Sequence, residues 1–195
     1  MTDKLNSRDI SAIRQEYALK TLSESDVAKD AIVQFENWFE EAMNSEVQEP
    51  NAMSLATISQ DQYPNVRIVL LKGISDGKFR FYTNYDSQKG NDIDYSPNVS
   101  LMFFWPELER QIRIKGRAAK LSAKISDEYF RSRPKGSQIG ALVSPQSKVI
   151  EDRAVLEQRE EELAKAYENK TVPRPENWGG YEVDPVSIEY WQGRR

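Results

Sequence analysis

The sequence predicts a mainly β domain with flanking helices, on three observations. Apolar and polar residues alternate through five consecutive segments between Ala52 and about Ser122, the period-two pattern of half-buried strands. Short turn-forming stretches such as DQYPN, SDGK and PELE separate most of them, which suits antiparallel neighbours. On either side the apolar spacing changes to three or four residues, as in amphipathic helices. A chain of 195 residues fits one domain, 1–195, with 1–48 as a helical N-terminal segment.

Taken in order, Arg8 to Lys20 reads as a short polar helix. Ser25 or Asp26 caps a second helix running to about Asn44, in which Val27, Ala31, Phe35, Trp38, Phe39 and Ala42 form a core-facing stripe. The five strands are MSLATIS, NVRIVLLKGI, KFRFYTNY, NVSLMFFW and RQIRIKGRAAKL, with SQKGNDIDYSP as a polar loop between the third and fourth. Such a succession implies an antiparallel meander that closes into a barrel. Ser126 caps a short helix, DEYFRSR, which must stop before Pro134 because proline disfavours helix in the residue ahead of it. A longer helix from about Lys148 to Asn169 turns Val149, Val155, Leu156, Leu163 and Ala166 inward and its many charges to solvent. After TVPRPENWGGYEVDP, the alternating VSIEYWQ reads as a last strand. There is no internal repeat and no linker.

Composition narrows the chemistry. The 27 Lys and Arg against 31 Asp and Glu give a net charge of −4, so general attraction to nucleic acid or anionic lipid is not expected and any anion needs a local cluster. The absence of Cys removes disulfides, thiolate metal sites and cysteine nucleophiles. The absence of His removes imidazole bases, catalytic triads and the commonest zinc ligand, and no metal site is expected. The polar first twenty residues lack the apolar centre of a signal peptide, and no run approaches the ~20 apolar residues of a membrane span, so a cytoplasmic protein is expected.

Basic and hydroxyl residues gather in a few places. On the second strand Arg67, Val69 and Leu71 share one face, and Val66, Ile68, Leu70 and Lys72 the other. Arg67 and Lys72 can then serve one ligand only if the strand bulges or ends near Gly73, or if they touch different parts of it. The third strand leads through Tyr82, Thr83 and Asn84 into Ser87, Gln88, Lys89 and Gly90, a loop able to wrap a phosphate or to be an ordinary turn. The fifth strand sets Gln111, Arg113, Lys115 and Arg117 on one face, lining a site or facing solvent. Tyr129 and Arg133 are four apart on the short helix, with Ser137 just beyond RPKG, a set suited to an aromatic phosphate ester or, more plainly, a packed Tyr beside a surface Arg. Gln146 and Ser147 fall at the predicted start of the long helix, where free N–H groups favour an anion; capping alone also explains Ser147.

Together, RQEY at Arg14 to Tyr17, RIVLLK, FYTNYDSQKG, QIRIKG, YFRSRPKGSQIGA, SPQS, VPRPENWGGY and IEYWQG resemble, in order and over nearly the whole chain, the pyridoxamine 5′-phosphate oxidase family. The resemblance implies a split β-barrel, antiparallel and Greek-key-like, forming a homodimer with FMN at the subunit interface. It implies FMN contacts from Arg67, Ile68, Val69, Leu70, Leu71, Lys72, Tyr82, Thr83, Gln88, Lys89, Gln111, Gln146, Ser147 and Trp191. It implies substrate contacts from Lys72, Tyr129, Arg133 and Ser137, with Arg14, Gln15, Glu16 and Tyr17 closing over the substrate and Lys72 near the reacting carbon. The implied reaction is oxidation of pyridoxamine or pyridoxine 5′-phosphate to pyridoxal 5′-phosphate, with molecular oxygen as acceptor and hydrogen peroxide as product.

Two positions depart from that pattern. Gln88 stands where the family often has Arg, which weakens the expected grip on the FMN phosphate. The family also continues after WQG into a run with Arg, His, Asp and Arg, so the missing histidine is expected to be a missing tail beyond Arg195. Other readings of the same residues are a different FMN split-barrel reductase, a non-catalytic carrier of pyridoxal phosphate and, against the net charge, a nucleic-acid-binding barrel.

Overall fold

The structure is a computed structural model in which residues 16–194 are described. The chain divides into two compact units, and each is described by itself. The larger comprises Asn51–Phe103 and Arg113–Glu189; residues up to Pro50, Phe104–Ile112 and the chain from Tyr190 make the other.

The larger unit is built on a seven-stranded sheet in the order β2-β1-β5-β6-β7-β4-β3. The strands are β1 (Ala52–Ile58), β2 (Pro64–Leu70), β3 (Gly73–Ser75), β4 (Lys78–Asn84), β5 (Asn98–Trp105), β6 (Arg110–Lys120) and β7 (Trp178–Gln192); β5 and β7 end, and β6 begins, in residues of the smaller unit. The pairings of β1 with β2 and β5, and of β4 with β3 and β7, are antiparallel. This order corrects the expected meander: β1 pairs across to β5, and β4 to the distant β7. Strand β2 sits at one edge of the sheet and β3 at the other, yet only Leu71 and Lys72 separate them. Three Cα steps span at most about 11 Å, so the edges must curl toward each other. The switch happens at adjacent residues: Leu71 N–H donates to Asn51 O and Lys72 N–H to Arg80 O, each at 2.8 Å. Strand β2 thus ends before Gly73, one of the arrangements that frees Lys72 from strict alternation with Arg67. Phe79, Phe81, Leu55, Leu101, Phe103, Ile114 and Tyr181 fill the interior, at the positions period two predicts.

Four helices accompany the sheet: α2 (Gln88–Tyr95), α3 (Ala123–Ser132), α4 (Lys135–Val143) and α5 (Arg153–Ala166). Two of them, α2 and α4, lie where the sequence predicts no helix. Helix α2 replaces the polar SQKGNDIDYSP stretch because Ser87 caps it, accepting from Gly90 N–H, which outweighs a composition poor in apolar residues. Helix α4 begins directly after Pro134, as proline permits at a helix start. Helix α3 starts earlier than expected, capped by Ser122 rather than Ser126, and does stop before Pro134. Helix α5 is capped by Asp152, so Gln146 and Ser147 precede it in a loop and Ser147 takes a left-handed φ of 68°. Leu156 and Leu163 pack against the Phe130–Trp178 cluster as expected, whereas Val149 and Val155 are exposed, as is Ala166.

In the smaller unit, α1 (Ala31–Met43) is capped by Asp30, whose carboxylate accepts from Ile32 and Val33 N–H. The helix starts later than predicted, with a separate 3-10 turn at Glu24–Asp26, and leaves Val27 exposed outside it. Phe35, Trp38 and Ala42 are buried, confirming that part of the stripe. The described end of the predicted first helix, 16–20, is not helical. No described helix is long and apolar enough to cross a membrane.

Candidate functional site

A cavity of about 880 Å³ opens in the larger unit, within the range of about 300–1,000 Å³ typical of small-molecule sites. Strand β2 contributes Ile68, Val69 and Leu70, the β2–β3 corner Lys72, and β4 Tyr82 and Thr83. Lys89 comes from α2, Tyr129 and Arg133 from α3 and its C-terminal cap, Ser137 from α4, and Gln146 from the following loop. Eleven residues expected in two separate sets therefore line one space.

Its chemistry is cationic and aromatic. None of Lys72, Lys89 and Arg133 has a carboxylate within 4.0 Å among the described residues. Lys89 is only 8% exposed, and its ammonium donates to Ser87 Oγ at 3.1 Å and Gln146 Oε1 at 3.3 Å. Burial, and secondarily the positive charge of Arg67, push its pKa below the ordinary lysine value. Burial likewise lowers that of Arg133, whose Nη1 is buried without a hydrogen-bond partner. A desolvated guanidinium nitrogen left unpaired is costly unless an anion completes it. Beside it the rings of Tyr82 and Tyr129 stack at 3.7 Å, Trp178 lies parallel to Tyr129 within 2°, and the Arg133 guanidinium sits 4.5 Å from the Trp178 ring centre.

Arg67 points elsewhere. Its Nη1 donates to Thr57 Oγ1 at 2.6 Å and to the carbonyls of Leu55 and Asn65, and its Nη2 lies 3.6 Å from Asp92 Oδ2. Asp92, 2% exposed, also accepts from Thr57 Oγ1, Asn65 Nδ2 and Gln88 Nε2. Burial alone would raise its pKa, but these hydrogen bonds and the charge of Arg67 outweigh it and hold the carboxyl below its usual range. Gln88 thus faces Asp92 on its own helix, and neither Arg67 nor Gln88 lines the cavity.

The remaining expected residues are placed as follows. Leu71 is buried at the strand corner, and Ser147 is exposed beside Gln146. Gln111, Glu16, Tyr17 and Trp191 belong to the smaller unit, where Tyr17 meets Trp191 edge to face at 5.6 Å. Arg14 and Gln15 lie outside the described residues.

Asn84, named from sequence at the end of the third strand, also lines the cavity, as do Trp178, Ser132 and Ser144, which the sequence reading does not single out. For Trp178 a signal existed: the glycines after it are forced by close approach. A Cβ on Gly179 would lie 2.2 Å from Tyr85 Oη, and one on Gly180 2.5 Å from Leu121 Cδ1. A Trp-Gly-Gly run packed this tightly marks a fixed ring.

The pattern of the family described as pyridoxamine 5′-phosphate oxidase matches residues 39–166. A pyridoxine/pyridoxamine 5′-phosphate oxidase of Leptospira interrogans is 56% identical over 185 residues, 95% of this chain and 86% of that protein. One from Acaryochloris marina is 51% identical over 185 residues, 95% of this chain and 84% of that protein. Among solved structures, PhzG from Burkholderia lata 383, in complex with tetrahydrophenazine-1-carboxylic acid, superposes with a TM-score of 0.86 at 27% identity, covering 91% of this chain and 88% of that one. Antiparallel sheet, helices and cavity lining occur here in a sequence sharing half its residues with those oxidases, and the chain belongs to the pyridoxamine 5′-phosphate oxidase family.

Proposed function

We propose that this protein is an FMN-dependent oxidase that converts pyridoxamine 5′-phosphate and pyridoxine 5′-phosphate to pyridoxal 5′-phosphate. The observation that carries the reading is the pairing, in one cavity, of carboxylate-free cations with a stacked aromatic wall. Two phosphate esters with flat rings need such a place, and the unpaired Arg133 Nη1 fits an anion. Lys89 and the first turn of α2 suit the FMN phosphate, with Thr83, Gln146 and the β2 backbone near the ring system. Arg133, Ser137 and Tyr129 suit the phosphate of the substrate, and Lys72 its reacting end. Arg67, held by Asp92, adds positive charge behind Lys89 rather than a contact in the cavity.

When bound, FMN would supply the two-electron redox chemistry between the substrate carbon and molecular oxygen, with Lys89, Thr83 and Gln146 among the residues that would hold it. The balance is one aldehyde and one hydrogen peroxide per oxygen molecule, with water consumed and ammonia released when the donor is the amine. The chain's own share is orientation: it fixes both phosphates, aligns two flat rings and limits water around the reacting carbon. That share requires neither His nor Cys, and the chain has neither. A homodimer is part of the proposal, with Gln111, Ser147 and Trp191 as further cofactor contacts and Arg14 to Tyr17 closing over the substrate.

A second reading has one observation behind it: the PhzG structure holds a carboxylic acid rather than a phosphate ester. The test is to load the protein with FMN, exclude oxygen and add pyridoxamine phosphate or its dephosphorylated form. Flavin bleaching by the phosphate ester alone supports the oxidase; no bleaching by either refutes it, and failure to bind FMN removes the cofactor assignment.

A further inference from the structure

Outside the cavity, a second cluster of polar contacts in the larger unit centres on Arg174, in the VPRP segment before β7. Its Nε donates to Asp127 Oδ1 at 2.6 Å, and its Nη1 to Trp178 O at 2.6 Å and Pro175 O at 3.2 Å. The side chain is 14% exposed. It does not line the main cavity; with Asp127, Phe130 and Arg131 it borders a separate recess of about 190 Å³.

We propose that Arg174 is a positioning residue for the phosphate end of the cavity, setting Tyr129 and Arg133 against Trp178 by tying α3 to the start of β7. Asp127 lies on α3 beside Ser126, whose Oγ accepts from Gly180 N–H at 3.2 Å, so the helix meets the strand at two adjacent points. Two residues further along α3 is Tyr129, and at its C-terminal cap is Arg133. Trp178, whose carbonyl Arg174 holds, is the ring on which both rest. A planar fork of donors reaches a carboxylate and two carbonyls together, which a lysine ammonium on a flexible stem does not reproduce. Displacing a binding group by about 1 Å can cost on the order of 100-fold in rate, so a brace here acts on ligand binding beyond any effect on folding.

The inference rests on the cavity reading above, and its test separates the two. Arg174→Met, Arg174→Lys and Asp127→Asn are compared with the parent, FMN-loaded, for KM and kcat with pyridoxamine phosphate, FMN affinity by fluorescence, thermal midpoint, and the near-UV circular dichroism band that Trp178→Phe removes. Expected are a KM raised about tenfold in Arg174→Met with FMN affinity kept within about twofold, partial recovery in Arg174→Lys, and no additional loss when Asp127→Asn is combined with Arg174→Met. A lowered thermal midpoint with unchanged KM would reduce Arg174 to a fold brace and overturn the proposal, as would additive effects of the two changes. If Arg174→Met does not fold, Arg174→Lys and Asp127→Asn carry the same comparison. A parent that neither turns over nor bleaches refutes the oxidase reading instead; the dichroism band then decides, and an unaltered band in Arg174→Met sinks the inference.

Discussion

The guanidinium of Arg133 lies 4.5 Å from the ring centre of Trp178, held over an aromatic face while its Nη1 has no hydrogen-bond partner. One side of the cation faces the ring, and the proposed function gives the other to the substrate phosphate. Arg133→Ala should therefore raise KM for pyridoxamine phosphate by about 10- to 100-fold, a loss of roughly 1.5–3 kcal/mol for charge-assisted hydrogen bonds, with kcat less affected. Steady-state kinetics checks this, and an unchanged KM would remove Arg133 from the phosphate site.

Lys89 makes the matching prediction for the cofactor. Lys89→Met should weaken FMN binding by about 10- to 100-fold, read from flavin fluorescence. Because its pKa is lowered, the ammonium loses its charge at a lower pH than ordinary lysine, near 10.4. FMN affinity of the parent should then decline before that pH is reached, and the Lys89→Met variant should lack this decline.

Asp92 predicts an acid limb in stability. A carboxyl whose folded pKa is depressed stabilises the fold above its unfolded value, about 3.9, and loses that contribution as pH falls through the lower folded value. Asp92→Asn should cost about 2 kcal/mol at pH 7, and the difference from the parent should shrink below about pH 4. Urea unfolding at pH 7 and pH 3 decides; an equal difference at both would show that the charge of Asp92 does not contribute.

In the smaller unit, Glu109 holds the segment after Tyr17. Its carboxylate accepts from Ala18 and Leu19 N–H, each at 3.0 Å, and its carbonyl from Gly193 N–H at 2.8 Å. Glu109→Ala should speed tryptic cleavage after Lys20 by about tenfold, as local opening becomes easier. Cleavage at the parental rate would mean that the Tyr17–Trp191 ring contact holds the segment without Glu109.

Much of this arrangement was legible in the chain itself. Alternation located β1, β2, β4, β5 and β6 to within a few residues, because each sets a less exposed face against a more exposed one. The set of Tyr129, Arg133 and Ser137 could be assembled from spacing alone, since a helix and a proline-limited turn fix short distances. Helix α2 was missed because its stability rests on the Ser87 cap and on burial of Ile93 rather than on an apolar stripe. Helix α4 was missed because RPKG reads as a turn until Pro134 is placed at a helix start. The role of Arg67 could not be read either: its side-chain partners, Thr57 and Asp92, are distant in sequence, and only the β1–β2 pairing and the packing of α2 bring them together.

The position of β7 in the sheet bears on how the molecule is made. This strand lies between β6 and β4 but is translated almost a hundred residues after β4. Until it emerges from the ribosome, the β3–β4 hairpin and the free side of β6 must wait with unpaired backbone edges. Such edges invite pairing with other chains, and pairings so remote in sequence form slowly. The polypeptide is therefore most vulnerable to aggregation late in its synthesis, and the same strand that brings Trp178 to the cavity ends that exposure.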